Sequence, residues 1–267
     1  MTGRVLIIAG SDSGGGAGIQ ADLKTVTCLG GFAMTAITAL TAQNTQAVTG
    51  IHDVPPDFIA EQIRVVLSDL GADCIKTGML SQPAAIHAIC DVLDEMGLDI
   101  PLVVDPVMVA KGGASLLAKE ALEALKTHLI PRAFVLTPNV PEAEKICDLS
   151  IKTIEDMQKA AQKLFEYGPK AVLMKGGHFD EAGDLVRDYL FEADGSMHKF
   201  EGPRIKTRHT HGTGCTTASA IAVSIAQGLT IEKAVERARS YVLEAIKTAP
   251  GYGQGHGPLN HAHTIKG

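Results

Sequence analysis

The sequence predicts an α/β protein built on a mostly parallel sheet with helices on both faces, and three observations carry that prediction. Short apolar runs rich in β-branched residues alternate along the chain with longer segments of i, i+3, i+4 apolar spacing. The runs are continuously apolar instead of alternating, as in strands covered on both faces. The 267 residues, 45% hydrophobic and 20% charged, contain no linker-like break and no convincing internal repeat, so one domain over 1–267 is expected.

In chain order, the predicted strands are 4–10 (RVLIIAG), 33–43, 73–80, 101–109, 133–139 and 171–177. A glycine-rich loop follows the first of them and leads into a helix that carries Asp22 in its early turns. Helical spacing recurs over 56–71, 82–97, 119–129 and 154–168, and three of these four segments end at a glycine, the usual helix stop. Asp194-Gly195 between two strand-like halves predicts a β-hairpin within 188–205. Helices over roughly 214–227 and 230–248 then precede a glycine- and histidine-rich tail.

Composition removes several function classes. A net charge of −6 without a long basic run argues against broad nucleic-acid or membrane binding, although Arg204, Lys206 and Arg208 stand just before a glycine loop. Five scattered cysteines (28, 74, 90, 147 and 215) form no C-x-x-C pair, which fits a reduced, cytoplasmic protein better than a disulfide framework or zinc cluster. The N-terminal apolar run is too short for a signal segment, and no run approaches the about 20 apolar residues of a membrane span. The histidine pairs 209/211 and 261/263 are spaced i, i+2, without the helical H-E-x-x-H pattern of a metal site. The tail around 252–263 yields no role.

Polar residues interrupt the apolar runs mainly at their carboxyl ends: Gly10, Ser11 and Asp12, then Gln43 and Asn44, Lys76 to Met79, Asp105, Asn139 and Lys175. In open α/β sheets that edge is where ligands bind. Taken singly, each is readable as a turn residue or a cap, Asn139 above all. Two glycine-rich loops frame them. In the later one, HTHGTGCTTASA (209–220), a helix start offers unpaired N–H groups, and Gly212 and Gly214 leave them open to an anion. The same field would favour the thiolate of Cys215. The plainer reading is a glycine loop with a small residue packed at a helix end.

The early loop, 10–24, lacks the Gly-Lys-Ser/Thr of a Walker A sequence. Residues 16–21 match G-x-G-x-x-A, but these glycines begin six residues after Gly10, and no acidic residue closes the second strand. A dinucleotide-binding dehydrogenase is therefore disfavoured. Two loops suggest two ligands meeting over the sheet, and Asp22 with Gln43 offers the acceptor and amide that an aminopyrimidine ring would need. As a first-turn acid, Asp22 also reads simply as a complement to the helix dipole.

The ordered segments AGSDSGGGAGIQADLKT, ITALTAQNT, IKTGML, DPVM, TPNVPEA, LMKGGH and THGTGCT resemble the hydroxymethylpyrimidine/phosphomethylpyrimidine kinases of thiamine biosynthesis, over about residues 4–248. The resemblance implies a ribokinase-like three-layer α/β/α sandwich, a homodimer, ATP and Mg²⁺, and leaves a monovalent cation open. It matches Gly212, Thr213, Gly214 and Cys215 to an anion hole for the transferring phosphoryl group, with Cys215 as the base. It matches Asp22 and Gln43 to groups bonding the pyrimidine, with Gly10, Ala17 and Met79 lining its pocket. Asn139 and Glu142 match an Asn-x-x-Glu motif that organises Mg²⁺ through water, Asp105 an acidic residue near metal and phosphates, and Lys175 a phosphate-side lysine. Residues 106–116, including Lys111, match a flap.

The reaction so implied is in-line attack by the substrate's hydroxymethyl oxygen, with Cys215 accepting its proton, followed by a second transfer to the monophosphate. Pyridoxal kinase is the close rival. Relatives that phosphorylate pyridoxal often carry a flap cysteine where this chain has Ala110. A non-catalytic pyrimidine sensor would be expected to lose Cys215, the Asn139/Glu142 pair or the loop glycines, all of which are present.

Overall fold

The computed structural model describes residues 2–108, 118–178 and 183–265. Nine strands form a single sheet: β1 (Arg4–Asp12), β2 (Phe32–Gln43), β3 (Val48–Asp53), β4 (Cys74–Thr77), β5 (Leu102–Val104), β6 (Val135–Leu136), β7 (Ala171–Met174), β8 (Leu185–Glu192) and β9 (Met197–Pro203). Their spatial order is β3-β2-β1-β4-β5-β6-β7-β8-β9. The block from β2 to β7 is parallel, while β3 at one edge and the β8–β9 hairpin at the other run antiparallel.

Strand β1 shows why the runs are apolar throughout. Val5, Ile7 and Ala9 enter one core, packed with α1 (Gly18–Cys28), α7 (Thr213–Ala226) and α8 (Ile231–Lys247). Leu6 and Ile8 enter the other, with α2 (Pro56–Asp69), α3 (Pro83–Met96), α4 (Lys119–Ala124), α5 (Val140–Cys147) and α6 (Ile154–Phe165). Successive side chains point to opposite faces of a strand, so a layer of helices on each side demands apolar residues at every position. The result is the expected α/β/α sandwich.

The helix signals hold in detail. Proline stands in the first turn of α2 and α3, and α3 stops at Gly97, whose φ of 59° closes the helix in the left-handed region. The structure departs from expectation in four places. Strand β3 was not foreseen, because its six residues are nearly all exposed and lack an apolar face. Helix α5 was not foreseen either; it is only eight residues long and interrupts what reads as a loop. The segment 119–129 is not one α-helix: α4 gives way at Leu125 to a π-helical turn through Leu129. Strands β5 and β6 are also shorter than predicted, three and two residues. That shortness brings Asp105 and Asn139 to the carboxyl edge of the sheet.

Candidate active site

A cleft of about 650 Å³ runs along this carboxyl edge. Gly10, Ala17, Gln43, Met79, Asp105, Asn139, Glu142, Lys175, Gly212, Thr213, Gly214 and Cys215 all line it. Among the described residues that the family resemblance matched to the site, Asp22 alone is not on its wall. Lys111 and most of the 106–116 segment lie outside the described residues.

The anion cradle forms where α7 begins. No side chain caps this helix start, and Gly212 holds φ 84°, ψ 7°, with its carbonyl accepting the first helical N–H, that of Thr216, at 2.9 Å. The two glycines serve different purposes. A Cβ on Gly214 would stand 3.4 Å from Lys175 Nζ and 3.7 Å from Asp105 Oδ2, inside the space beside the cradle. A Cβ on Gly212 would instead overlap the Gly16 carbonyl oxygen and lie 3.3 Å from Ala17 Cα. Gly214 thus borders Lys175 and Asp105 without crowding them, whereas Gly212 lets the two glycine loops touch.

A residue pair that the sequence did not assign to the site fixes that contact. Asp12, at the end of β1, is 3% exposed and receives Nε2 of His211 at 2.8 Å. Its oxygens also accept the backbone N–H groups of Gly14, Gly16 and Ala17 at 2.8, 3.1 and 2.8 Å. Burial pushes this carboxyl up, but the bonds from His211 and the loop N–H groups outweigh it and hold Asp12 below the usual carboxylate range. Gln43 reaches the same histidine at 3.3 Å and accepts from Thr41 Oγ1 at 3.2 Å. One carboxylate therefore shapes the early loop and ties it to the late one.

Beside Gly214, Lys175 Nζ bonds Asp105 Oδ1 at 2.9 Å, and Thr137 Oγ1 donates to the same oxygen at 3.2 Å. Asn139 and Glu142 form a capping box at the start of α5: Asn139 Oδ1 accepts the Glu142 N–H at 2.9 Å, and Glu142 Oε2 accepts the Asn139 N–H at 2.8 Å. The Asn-x-x-Glu spacing thus builds a helix start while it aims a carboxylate into the cleft. Burial, only partly offset by Lys175, pushes the Glu142 carboxyl up to about 7.

Two site expectations are corrected. Asp22 is wholly buried; its Oδ2 takes the Lys76 ammonium at 2.8 Å and its Oδ1 the Ser219 hydroxyl at 2.7 Å. Its bonds are therefore to protein groups, and it does not face the solvent. Lys76 does line the cleft, though the sequence gave it no role. The second correction concerns Cys215. Burial pushes its thiol up to about 12, against the pull of Lys76 and of the Gly18 backbone N–H. Desolvation works against the field of the helix end and favours the thiol.

A cleft bounded by a glycine-rich helix start and by charged side chains, on a ribokinase-like α/β/α sandwich, is the arrangement of an enzyme that transfers phosphoryl groups to small molecules. The family described as phosphomethylpyrimidine kinase matches residues 12–260. A hydroxymethylpyrimidine/phosphomethylpyrimidine kinase of Bacillus subtilis is 49% identical over 97% of this chain and 94% of its own. The thiamine biosynthesis bifunctional protein ThiED of Geobacter sulfurreducens is 52% identical, and this chain spans 52% of its length. Among solved structures, phosphomethylpyrimidine kinase from Clostridium difficile superposes with a TM-score of 0.80 at 42% identity, covering 91% of this chain and 99% of that one. A Bacillus subtilis pyridoxal kinase reaches a TM-score of 0.88 at 32% identity, covering 98% of each. The chain belongs to the phosphomethylpyrimidine kinase family. It is a phosphotransferase.

Proposed function

We propose that the chain uses ATP to phosphorylate 4-amino-5-hydroxymethyl-2-methylpyrimidine, and then the monophosphate, to the diphosphate used in thiamine biosynthesis. The observation that carries this reading is the junction of the two loops. Gly212 touches the early loop that holds Ala17, while Gly214 borders Lys175 and Asp105, so acceptor pocket and phosphate cradle meet at one helix start. The Gln43 amide, beside Met79 and Gly10, suits a flat ring bearing both donors and acceptors. In the first transfer the substrate O–H bond breaks, its oxygen bonds phosphorus as ADP departs, and the Cys215 sulfur takes the proton after giving its own thiol proton to solvent.

Mg²⁺ fits the donor set. Asp105 and Glu142 provide hard oxygen ligands on either side of Lys175, and Mg²⁺ commonly takes one or two carboxylates plus phosphates and water. It would supply charge neutralisation at the phosphates. Lys175 supplies a second positive charge there; burial opposes that charge, and Asp105 and Glu142 sustain it above its ordinary range. Val186, Ile205, Val242 and Ile246 give the cleft an apolar wall suited to a nucleobase. We also place the enzyme in the cytoplasm as a homodimer. The exposed Leu40 and Ile51 on neighbouring strands, at the otherwise unpaired β3 edge, support the latter.

Phosphorus NMR of reactions with Mg-ATP and either hydroxymethylpyrimidine or pyridoxal tests the reading. Monophosphate followed by diphosphate from the pyrimidine is the expected course. Pyridoxal phosphate alone would move the chain to vitamin B6 salvage, the alternative that the fold of the pyridoxal kinases keeps in view.

A further inference from the structure

The glycine- and histidine-rich tail after α8 has no part in any step above, yet it runs between two loops of the cleft. On one side lies the turn that follows Gln43. The Thr45 carbonyl accepts the His256 N–H at 2.8 Å, Thr45 Oγ1 accepts the Gly255 N–H at 3.2 Å, and Gln46 Nε2 donates to Gln254 Oε1 at 3.0 Å. On the other side lies the late loop. His211 donates its N–H to the Gly257 carbonyl at 3.1 Å, and the Arg208 guanidinium donates to the carbonyls of Gln254 and Gly253 at 3.0 and 3.3 Å. Beyond this stretch the chain is anchored. Leu259 is buried, the Asn260 N–H bonds the Ala245 carbonyl at 3.0 Å, and the His261 carbonyl accepts from the Tyr241 hydroxyl at 2.6 Å.

Close approach accounts for the glycines. Neither Gly255 nor Gly257 has a positive φ, so contact and not a left-handed backbone calls for them. A Cβ on Gly255 would stand 2.0 Å from the Thr45 carbonyl oxygen, and one on Gly257 would stand 2.2 Å from His209 Nδ1. The tail also borders the early loop, since a Cβ on Gly16 would lie 3.2 Å from Pro258 Cβ. The turn is built to pass a push along. Asn44 donates its N–H to the Ala47 carbonyl at 3.0 Å, and its side-chain oxygen accepts the N–H groups of Gln46 and Ala47 at 2.9 and 3.0 Å. Gln43, next in the chain, has its backbone N–H and carbonyl both bonded to the Ser13 hydroxyl, at 2.8 and 2.9 Å.

We propose that residues 253–258 are a positioning strap for the acceptor: they set the spacing between the Gln43 turn and the late loop, and with it the place of the Gln43 amide against the ring. Arg208, one of three basic residues before the cradle, is thereby assigned to holding the strap and not to the phosphates. The role of Gln43 rests on the pyrimidine-kinase reading. A tail that served stability alone would carry the same bonds, but breaking them would not single out one substrate.

The test is Gly255→Ala in the full chain, which forces strap and turn apart by roughly 1 Å or more. We expect KM for hydroxymethylpyrimidine, and for its monophosphate, to rise about tenfold, with kcat and KM for Mg-ATP within about threefold of wild type. Arg208→Ala, a change at an exposed side chain, should raise the acceptor KM severalfold in the same pattern. Arg208→Lys, which keeps a donor for the strap carbonyls, should recover part of that loss. The Arg208 pair reads the proposal even where Gly255→Ala does not fold. An unchanged acceptor KM in the folded variants would overturn it, as would an equal rise in KM for Mg-ATP, the mark of general loosening or of Arg208 on the phosphates. A wild-type enzyme that phosphorylates neither pyrimidine would instead sink the functional reading itself.

Discussion

Replacing Gly212 with alanine tests whether contact between the two glycine loops holds the site together. The substitution has two costs. A residue with a Cβ in the left-handed region, at φ 84°, loses about 1–2 kcal/mol. The new methyl would also stand 2.9 Å from the Gly16 carbonyl carbon, where non-bonded carbons settle at about 3.5–4.0 Å. The loops must then part by roughly 1 Å. The early loop cannot yield freely, because Asp12 holds the N–H groups of Gly16 and Ala17. Stretching those charge-assisted bonds adds about 2–3 kcal/mol, for a total of about 3–5 kcal/mol. In a chain of this length that lowers Tm on the order of 10 °C. A displacement of this size at the reacting groups costs about a hundredfold in rate. Gly97→Ala is the control: it shares the left-handed backbone, at φ 59°, with nothing within 4 Å of its Cβ. Thermal melts and kcat for both variants decide the matter. If Gly212→Ala melts with Gly97→Ala and keeps kcat within about threefold of wild type, the loop contact is not what aligns the site.

Cys215→Ala should damage the transfer to the hydroxymethyl group far more than the transfer to the monophosphate; equal losses, measured by product analysis, would leave the cysteine as part of the cradle only. Asn139→Ala removes the side-chain half of a capping box and should cost about 1 kcal/mol in denaturant melts, while freeing Glu142 to wander and raising the Mg²⁺ needed for half-maximal rate. His261 gives a pH prediction. It is 4% exposed and shares a hydrogen bond with Thr216 at 3.0 Å; burial, with Lys24 and His263 adding to it, depresses its pKa to about 4. The unfolded chain then binds this proton first as pH falls. The stability of the neutral ring is present above about 6.5 and is lost toward 4, on the order of 3 kcal/mol in all. Urea melts of His261→Gln should show a shallower decline over that window than wild type, and an unchanged slope would refute the assignment.

The alternation of apolar runs with helical spacing carried the sheet core and both helix layers, because burial on two faces writes itself into every residue of a strand such as 4–10. Elements that bury little left no such trace, which is why β3 was missed. Helix α5 announced itself only through Asn139-Pro141-Glu142, whose cap signature and chemical signature are the same residues. The cleft residues were legible because they are polar interruptions at strand ends. The burial of Asp22 was not legible because its local sequence fits an exposed first-turn acid, whereas its partner Lys76 lies 54 residues away and Ser219 lies 197 away. His211 escaped for the same reason, since its partner Asp12 is 199 residues distant. For Cys215 the local field was read correctly, but the surrounding protein that desolvates the sulfur is not visible in a short motif.

The bond between Asp12 and His211 has a further consequence. On the proposed reading the early loop borders the acceptor's chamber and the late loop the donor's, and a single carboxylate organises the first loop and grips the second. Neither chamber can be ordered in isolation. A ligand seated against one loop therefore bears on the other through that carboxylate. Because linkage is reciprocal, the enzyme is built for synergy between its two guests whatever their order of arrival.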